Sequence, residues 1–253
     1  MQPFFSQDAK VQTPNCSAWF PLGKALTDFN HGHSQGKLLT KSDIEGDRFV
    51  SVASFYTGPS QFTPLSLAMI KSCVGIVADL GAGSGSHSLF LQSKGYKVYG
   101  FDISFDCVEV MKARGVKNAS QIDIMKEPLP QKFDSILICM NGLGIAGSIK
   151  GLDTLLFHLT ESLNDGGRII CDSTDISYVK SMPAQKTTLP RLKNKNLGEV
   201  NYQMIYEDYI GEIFPWLYID DKTLRKTCSN FQLKMLPIAR EDESTAYIIT
   251  KEK

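Results

Sequence analysis

From residue 74 onward, short apolar runs alternate with stretches whose apolar side chains recur at helical spacing, the pattern of a parallel sheet covered by helices. VGIVADL (74–80) reads as a first strand, residues 86–94 as a helix halted at Gly95, and YKVYGFD (96–102) as a second strand. A helix over 103–114 stops at Gly115, and NASQIDI (118–124) follows as a third strand. FDSILICMN (133–141) is nearly continuous in apolar character, as expected of a central strand buried on both faces. The next helix, over about 151–163, carries Leu152, Leu155, Leu156, Leu159 and Leu163 on one stripe. NDGG then turns the chain into GRIICDS (167–173), a fifth strand.

The alternation breaks after residue 173. Residues 174–198 hold Pro183, Pro190 and a basic run from Arg191 to Asn196, and read as a loop or lid. VNYQMIYEDYIGEIFPWLYID (200–220) alternates large side chains on either side of Gly211, which predicts a long antiparallel hairpin; together 174–219 form an insertion. A helix capped by Asp220 or Asp221 and two closing strands, FQLKMLPIA and STAYIITKE, complete the chain. The expected fold is therefore α/β, a doubly wound, mostly parallel sheet of seven strands with an antiparallel C-terminal edge. Residues 1–72, rich in glycine, proline and scattered aromatics, are expected to form a partly helical cap over the carboxyl edge of that sheet, with 73–253 as the main domain.

Composition narrows the partners. Lysine plus arginine equals aspartate plus glutamate at 27 each, so no global field draws the protein to nucleic acid or to an anionic membrane, and the balance argues against both. No run approaches the roughly 18 uninterrupted apolar residues of a membrane span, and the first residues lack a signal-peptide pattern. A cytoplasmic protein is expected. Its six cysteines form no CxxC pair, which points to reduced thiols and to no metal site.

The candidate chemistry centres on DLGAGSG (79–85), where Gly81, Gly83 and Gly85 follow an acidic residue at the end of the first strand. Glycine weakens regular structure by roughly 0.5–1 kcal/mol relative to alanine, so three in a row of alternate positions imply close approach of a ligand to the main chain. In open parallel sheets, ligands bind outside the carboxyl ends of the strands, which is where this turn falls. GSGSHS lacks the lysine of a Walker loop, which excludes that class of nucleotide site. It also departs from GxGxxG, because Ser86 stands where a dinucleotide fold places its third small residue. Asp102, roughly twenty residues beyond the glycines, suits ribose hydroxyls in either a nicotinamide or an S-adenosylmethionine site. A nicotinamide-dependent oxidoreductase thus remains an alternative, as does a module that binds S-adenosylmethionine without catalysis.

The combination of DLGAGSG (79–85), FDIS (101–104), IDI (122–124) and MNG (140–142) at four successive strand ends resembles class I S-adenosylmethionine-dependent methyltransferases, with their Rossmann-like fold. The resemblance covers about 72–173 well and 221–251 in outline. GAGSGSHSL (81–89), MNGLGIAG (140–147) and CDSTDI (171–176) further resemble a bacterial group of stand-alone methyltransferases. It implies S-adenosylmethionine as the cofactor and a small-molecule methyl acceptor. Gly81, Ala82, Gly83 and Gly85 would lie against the methionine part, Asp79 would organise the loop, and His87 would approach the cofactor carboxylate or the substrate. Asp102 would accept from both ribose hydroxyls, Asp123 from the adenine amino group, and Ile103 and Ile124 would sandwich the ring.

The remaining candidates each carry a structural alternative. Asn141 ends the fourth strand and is the candidate nearest the reacting methyl, unless its amide serves loop backbone instead. Cys139 reads as a buried thiol rather than a nucleophile. Tyr202, Tyr206, Trp216 and Tyr218 on the proposed hairpin, Tyr206 and Trp216 foremost, form a candidate acceptor wall or simply core. His158 falls off the leucine stripe and is expected in solvent, and His31 and His33 lack partners for a metal.

Overall fold

The computed structural model describes residues 15–33, 36–181, 187–191 and 196–252. In chain order the elements are β1 (Asn15–Cys16), α1 (Phe20–Asn30), β2 (Leu38–Ser42), β3 (Gly46–Val50), α2 (Pro64–Lys71), β4 (Ile76–Leu80), α3 (Ser86–Ser93), β5 (Lys97–Asp102) and α4 (Phe105–Ala113). There follow β6 (Ala119–Gln121), β7 (Phe133–Ile138), α5 (Ile149–Glu161), β8 (Leu163–Thr174), β9 (Glu199–Tyr206), β10 (Tyr209–Gly211), β11 (Phe214–Leu217), α6 (Asp221–Asn230), β12 (Leu233–Glu241) and β13 (Ser244–Lys251).

Seven strands form the main sheet in the order β12-β13-β8-β7-β4-β5-β6. β4 pairs in parallel with both β5 and β7, so the winding reverses there and the carboxyl end of β4 opens into a crevice. β13 runs antiparallel to β8 and to β12, which makes the expected reversed edge. The continuous apolar character of β7 has a direct cause. Ile136 and Ile138 face the buried stripe of α5, formed by Leu152, Leu155, Leu156 and Leu159, while Leu137 faces the opposite layer with Met69, Ile70 and Leu91 of α2 and α3. Helix starts are set locally. Ser104 caps α4 by accepting from Cys107 N, Ser148 caps α5 by accepting from Gly151 N, and Asp220 caps α6 by accepting from Thr223 N.

Two expectations change. The N-terminal segment is more than a helical cap, because β2 and β3 join β9, β10, β11 and β1 in a second, six-stranded sheet. The hairpin in 200–220 turns at Glu207–Asp208, with Tyr206 opposite Tyr209, and not at Gly211. Gly211 instead ends β10 where a side chain would come within 3.0 Å of the Ala18 carbonyl. β11 then folds back on β9, Trp216 opposite Val200, so the insertion supplies three short strands. Pro183 and residues 192–195 of the proposed lid, and 1–14 of the proposed cap, lie outside the described residues. Arg191 pairs with Asp43 at 3.4 Å and donates to the carbonyls of Asn196 and Leu197. Among the described residues no helix is long and apolar enough to cross a membrane.

Because Leu156 is fully buried between α5 and the sheet, Leu156→Ala should cost about 2–5 kcal/mol in urea denaturation, with little change in m-value.

Candidate active site

The crevice at the carboxyl end of β4 is a cavity of about 490 Å³ with a floor from the main sheet and a roof from the second. The floor is built from the turn after β4. Gly81 N and Ala82 N both donate to Phe101 O, at 2.8 and 3.0 Å, and Gly83 N donates to Asp102 Oδ2 at 2.9 Å. Ser104 N donates to the other oxygen of Asp102, also at 2.9 Å. The turn is thereby bolted to the end of β5. With these three N–H groups directed inward, none of the three can cradle a diphosphate, as the nicotinamide alternative requires.

The glycines nevertheless leave room. A side chain at Gly83 would meet nothing within 4 Å and one at Gly81 only Ile145 Cδ1 at 3.5 Å, and both glycines have positive φ. Gly85 differs: its missing Cβ would stand 2.8 Å from Val116 Cγ2, so it serves the packing of α3 on α4 and does not line the cavity. Asp79 is 2% exposed and accepts from Ser88 Oγ at 2.6 Å. Burial raises its carboxyl pKa, while His87 and the Ser88 bonds oppose the rise.

Asp102, Ile103, Asp123 and Ile124 all line the same cavity, with Ala82 and His87 beside them. Burial raises the Asp102 pKa against the two backbone bonds and the Cys107 thiol bond that lower it, and three donors leave its carboxylate room for a further one. Asp123 accepts from Met125 N at 3.1 Å and pairs with Lys126 at 3.0 Å. The His87 ring lies 5.0 Å from that of Phe62. His158 is not in solvent: its Nδ1 is 2.6 Å from Ile124 O and ties α5 to this loop.

Asn141 is a correction. It is 8% exposed, and both ends of its amide are engaged, Nδ2 donating to Leu217 O at 3.2 Å and Oδ1 accepting from Thr174 N at 3.0 Å. Its own N donates to Asp172 Oδ2 at 2.8 Å. The side chain stitches the end of β8 to the end of β11 and does not line the cavity, which is the backbone-serving alternative for this residue. The bend it anchors, with φ of 61° at Met140 and 56° at Asn141, projects Met140 into the cavity at 62% exposure. Cys139 lines the cavity with a thiol that burial holds well above its ordinary pKa, hence neutral.

The roof is aromatic. Trp19 lies 4.5 Å from Phe214 and 5.9 Å from Trp216, Tyr202 stacks 6.1 Å from Phe214, and Tyr202 and Tyr218 share a 2.8 Å hydroxyl contact. Trp216 rests on bare backbone: a Cβ on Gly144 would stand 2.1 Å from its indole. Tyr206 is a second correction. Only 1% exposed, it packs with Leu26, Leu38 and Val52 beyond the end of the cavity. The roof is latched to the floor, since Ser84 and Ser86 both donate through Oγ to Phe55 O, and Arg114 donates to Ser84 O at 2.6 Å while lying 4.6 Å over the Tyr56 ring. Trp19, Phe55 and Arg114 come from segments where no motif marks them.

The methyltransferase-domain family matches residues 77–167, the span from β4 into β8. A SAM-dependent methyltransferase from Bacteroides fragilis, solved in complex with S-adenosyl-L-homocysteine, is similar over 93% of this chain and 96% of its own, with 30% identity and a TM-score of 0.82. The chain belongs to the S-adenosylmethionine-dependent methyltransferases. It is an enzyme of that activity and uses S-adenosylmethionine. Two further solved structures share the methyltransferase fold. One is a S-adenosylmethionine-dependent methyltransferase from Clostridium acetobutylicum, with 16% identity over 77% of this chain and 94% of its own and a TM-score of 0.58. The other is the sugar N-methyltransferase KedS8 from a Streptoalloteichus species, with 10% identity over 79% and 92% and a TM-score of 0.57. No protein of curated function matches the sequence significantly.

Two outcomes follow from the methyltransferase site. Asp102→Asn sets an amide nitrogen against one of two backbone N–H donors, and should weaken S-adenosylhomocysteine binding by about 1.5–3 kcal/mol in titration calorimetry. Asp172 is buried with Oδ1 unpartnered among the described residues, and burial raises its pKa to about 6. The folded chain therefore holds a proton there that the unfolded chain releases near pH 3.9. The stability this proton confers is fully present below about pH 4 and is lost as pH rises through about 6. Relative to Asp172→Asn, the wild type should lose on the order of 2–3 kcal/mol between pH 4 and 7 in denaturant titrations.

Proposed function

We propose that this methyltransferase acts on a small molecule held between the cofactor floor and the aromatic roof. In this reading Asp102 accepts from the ribose hydroxyls, Asp123 faces the adenine amino group, and Ile103 and Ile124 flank the ring. Gly81, Ala82 and Gly83 lie along the methionine part, with His87 at that end. S-adenosylmethionine supplies a methyl group made electrophilic by its sulfonium. The chain's own part is alignment and exclusion of water, and well-oriented reactants can gain effective molarities on the order of 10⁵ M.

The observation that carries this reading is the roof. Trp19, Tyr202, Phe214, Trp216 and Tyr218 line a cavity of about 490 Å³ that cofactor and acceptor would share, within the size range of small-molecule sites and with a mainly apolar lining rather than the cationic groove a nucleic acid would need. Burial keeps the Tyr202 and Tyr218 hydroxyls and the Cys139 and Cys107 thiols protonated, so the walls carry no competing nucleophile. Positive charge that spreads over a neutral nucleophile as it takes the methyl meets aromatic faces, which favour it. KedS8, which shares this fold, is by name a sugar N-methyltransferase, an enzyme of a small acceptor.

The test uses S-adenosylmethionine labelled in its methyl group, offered in parallel to a pooled cellular small-molecule fraction, to RNA and to protein. Label should enter the small-molecule fraction, and Trp216→Ala should reduce it at least about tenfold while binding S-adenosylhomocysteine like the wild type. Label confined to RNA or protein contradicts the proposal.

A further inference from the structure

One charged side chain on the roof has no part in the floor. Arg48 sits in the middle of β3, opposite Thr40 of β2, which in turn lies opposite Met204 of β9. Strand alternation sends this row toward the cavity together with Val50, and all four residues line it, while Asp47 and Phe49 point the other way. The other residues on this face of β2, β3, β9 and β11, from Leu38 and Val50 to Tyr202, Phe214 and Trp216, are uncharged. An arginine at such a position breaks the pattern that a core-facing row follows. The three carboxylates lining the cavity, Asp79, Asp102 and Asp123, all belong to the floor, and among the described lining residues Arg48 is the sole guanidinium or ammonium.

The guanidinium is held from behind. One Nη donates to Glu45 Oε2 at 2.7 Å, and Glu45 does not line the cavity. The Arg48 side chain is 57% exposed, and that bond uses one of its five N–H donors, leaving the others for a ligand. Glu45 Oε2 also accepts from Tyr202 Oη at 3.2 Å. Since a carboxylate only accepts, Tyr202 donates to it, and the 2.8 Å contact makes Tyr218 the donor to Tyr202. Tyr202 in turn stacks on Phe214, at an interplanar angle of 26°, and Phe214 abuts Trp19. A wall of tilted and edge-on aromatic rings and a guanidinium thus line one cavity.

We infer that the methyl acceptor is an aromatic acid whose ring lies against Phe214, Trp19 and Trp216 and whose carboxylate Arg48 binds. This rests on the reading of the roof as the acceptor site and adds its charge. A forked guanidinium matches a carboxylate through paired charge-assisted hydrogen bonds, which a neutral amide cannot reproduce.

The experiment is calorimetry on protein saturated with S-adenosylhomocysteine. The probes are indole-3-carboxylate and 4-aminobenzoate, each beside its neutral carboxamide. At least one acid should bind saturably below about 10 mM, with its carboxamide at least about tenfold weaker. Arg48→Gln should remove that preference while leaving S-adenosylhomocysteine affinity and thermal stability as in the wild type. Equal binding of acid and amide, failure of both acids to bind, or an undiminished preference in Arg48→Gln overturns the inference. Binding reduced by Trp216→Ala but untouched by Arg48→Gln sinks the charge assignment alone, whereas binding untouched by either variant sinks the roof as the acceptor site as well.

Discussion

The Asp102 carboxylate, gripped at one oxygen by Gly83 N and at the other by Ser104 N, is the interaction on which the site depends. It joins the turn after β4 to the end of β5 and sets where the floor of the cavity lies. Burial makes the charge costly, as the upward pull on its pKa shows. Two backbone donors offset only part of that cost, and a ligand able to donate two hydroxyls would offset more. The same turn sends the N–H groups of Gly81 and Ala82 to Phe101 O, so neither is aimed at its open side. This distinguishes it physically from a diphosphate cradle, in which those groups face the ligand.

The floor in turn organises the roof. Ser84 and Ser86, on the far side of the glycine turn, donate to Phe55 O, and Arg114 at the end of α4 reaches the same turn while covering Tyr56. The N-terminal segment is therefore anchored to the cofactor turn itself. Strands from residues 38–50 and 199–217, far apart in sequence, share one sheet and supply the aromatic and charged lining together. Changes at the turn should be felt at the aromatic roof through these few polar contacts, and the apolar core beneath need not move.

What was legible in the sequence follows from what is local. The five parallel strands and the α5 stripe show because burial on both faces leaves apolar runs and burial on one leaves a period of 3.6. Asp79, Gly81, Gly83, Asp102, Asp123 and their isoleucine neighbours all stand at strand ends, and strand ends can be counted. The second sheet is not readable in this way. Most of its strands are short, the β2–β9 pairing that joins its two halves links residues about 160 positions apart, and GDRFV carries no alternation that betrays an inner face. Register alone puts Arg48 in one row with Thr40 and Met204. Asn141 and Tyr206 illustrate the same limit. The asparagine amide is taken by Leu217 and Thr174, contacts that exist only after the chain returns, and Tyr206 shares the inner face with Tyr202 but lies past the end of the cavity. Gly144 and Gly147, within MNGLGIAG (140–147), make way for Trp216 and Pro215 of the roof.

A crystal structure with S-adenosylhomocysteine bound tests the central claim most directly. Both ribose hydroxyls should lie within hydrogen-bond distance of the Asp102 carboxylate, the adenine between Ile103 and Ile124, and the sulfur should face the aromatic roof. A ligand found elsewhere, or one seated here with Asp102 turned away from its ribose, would contradict it.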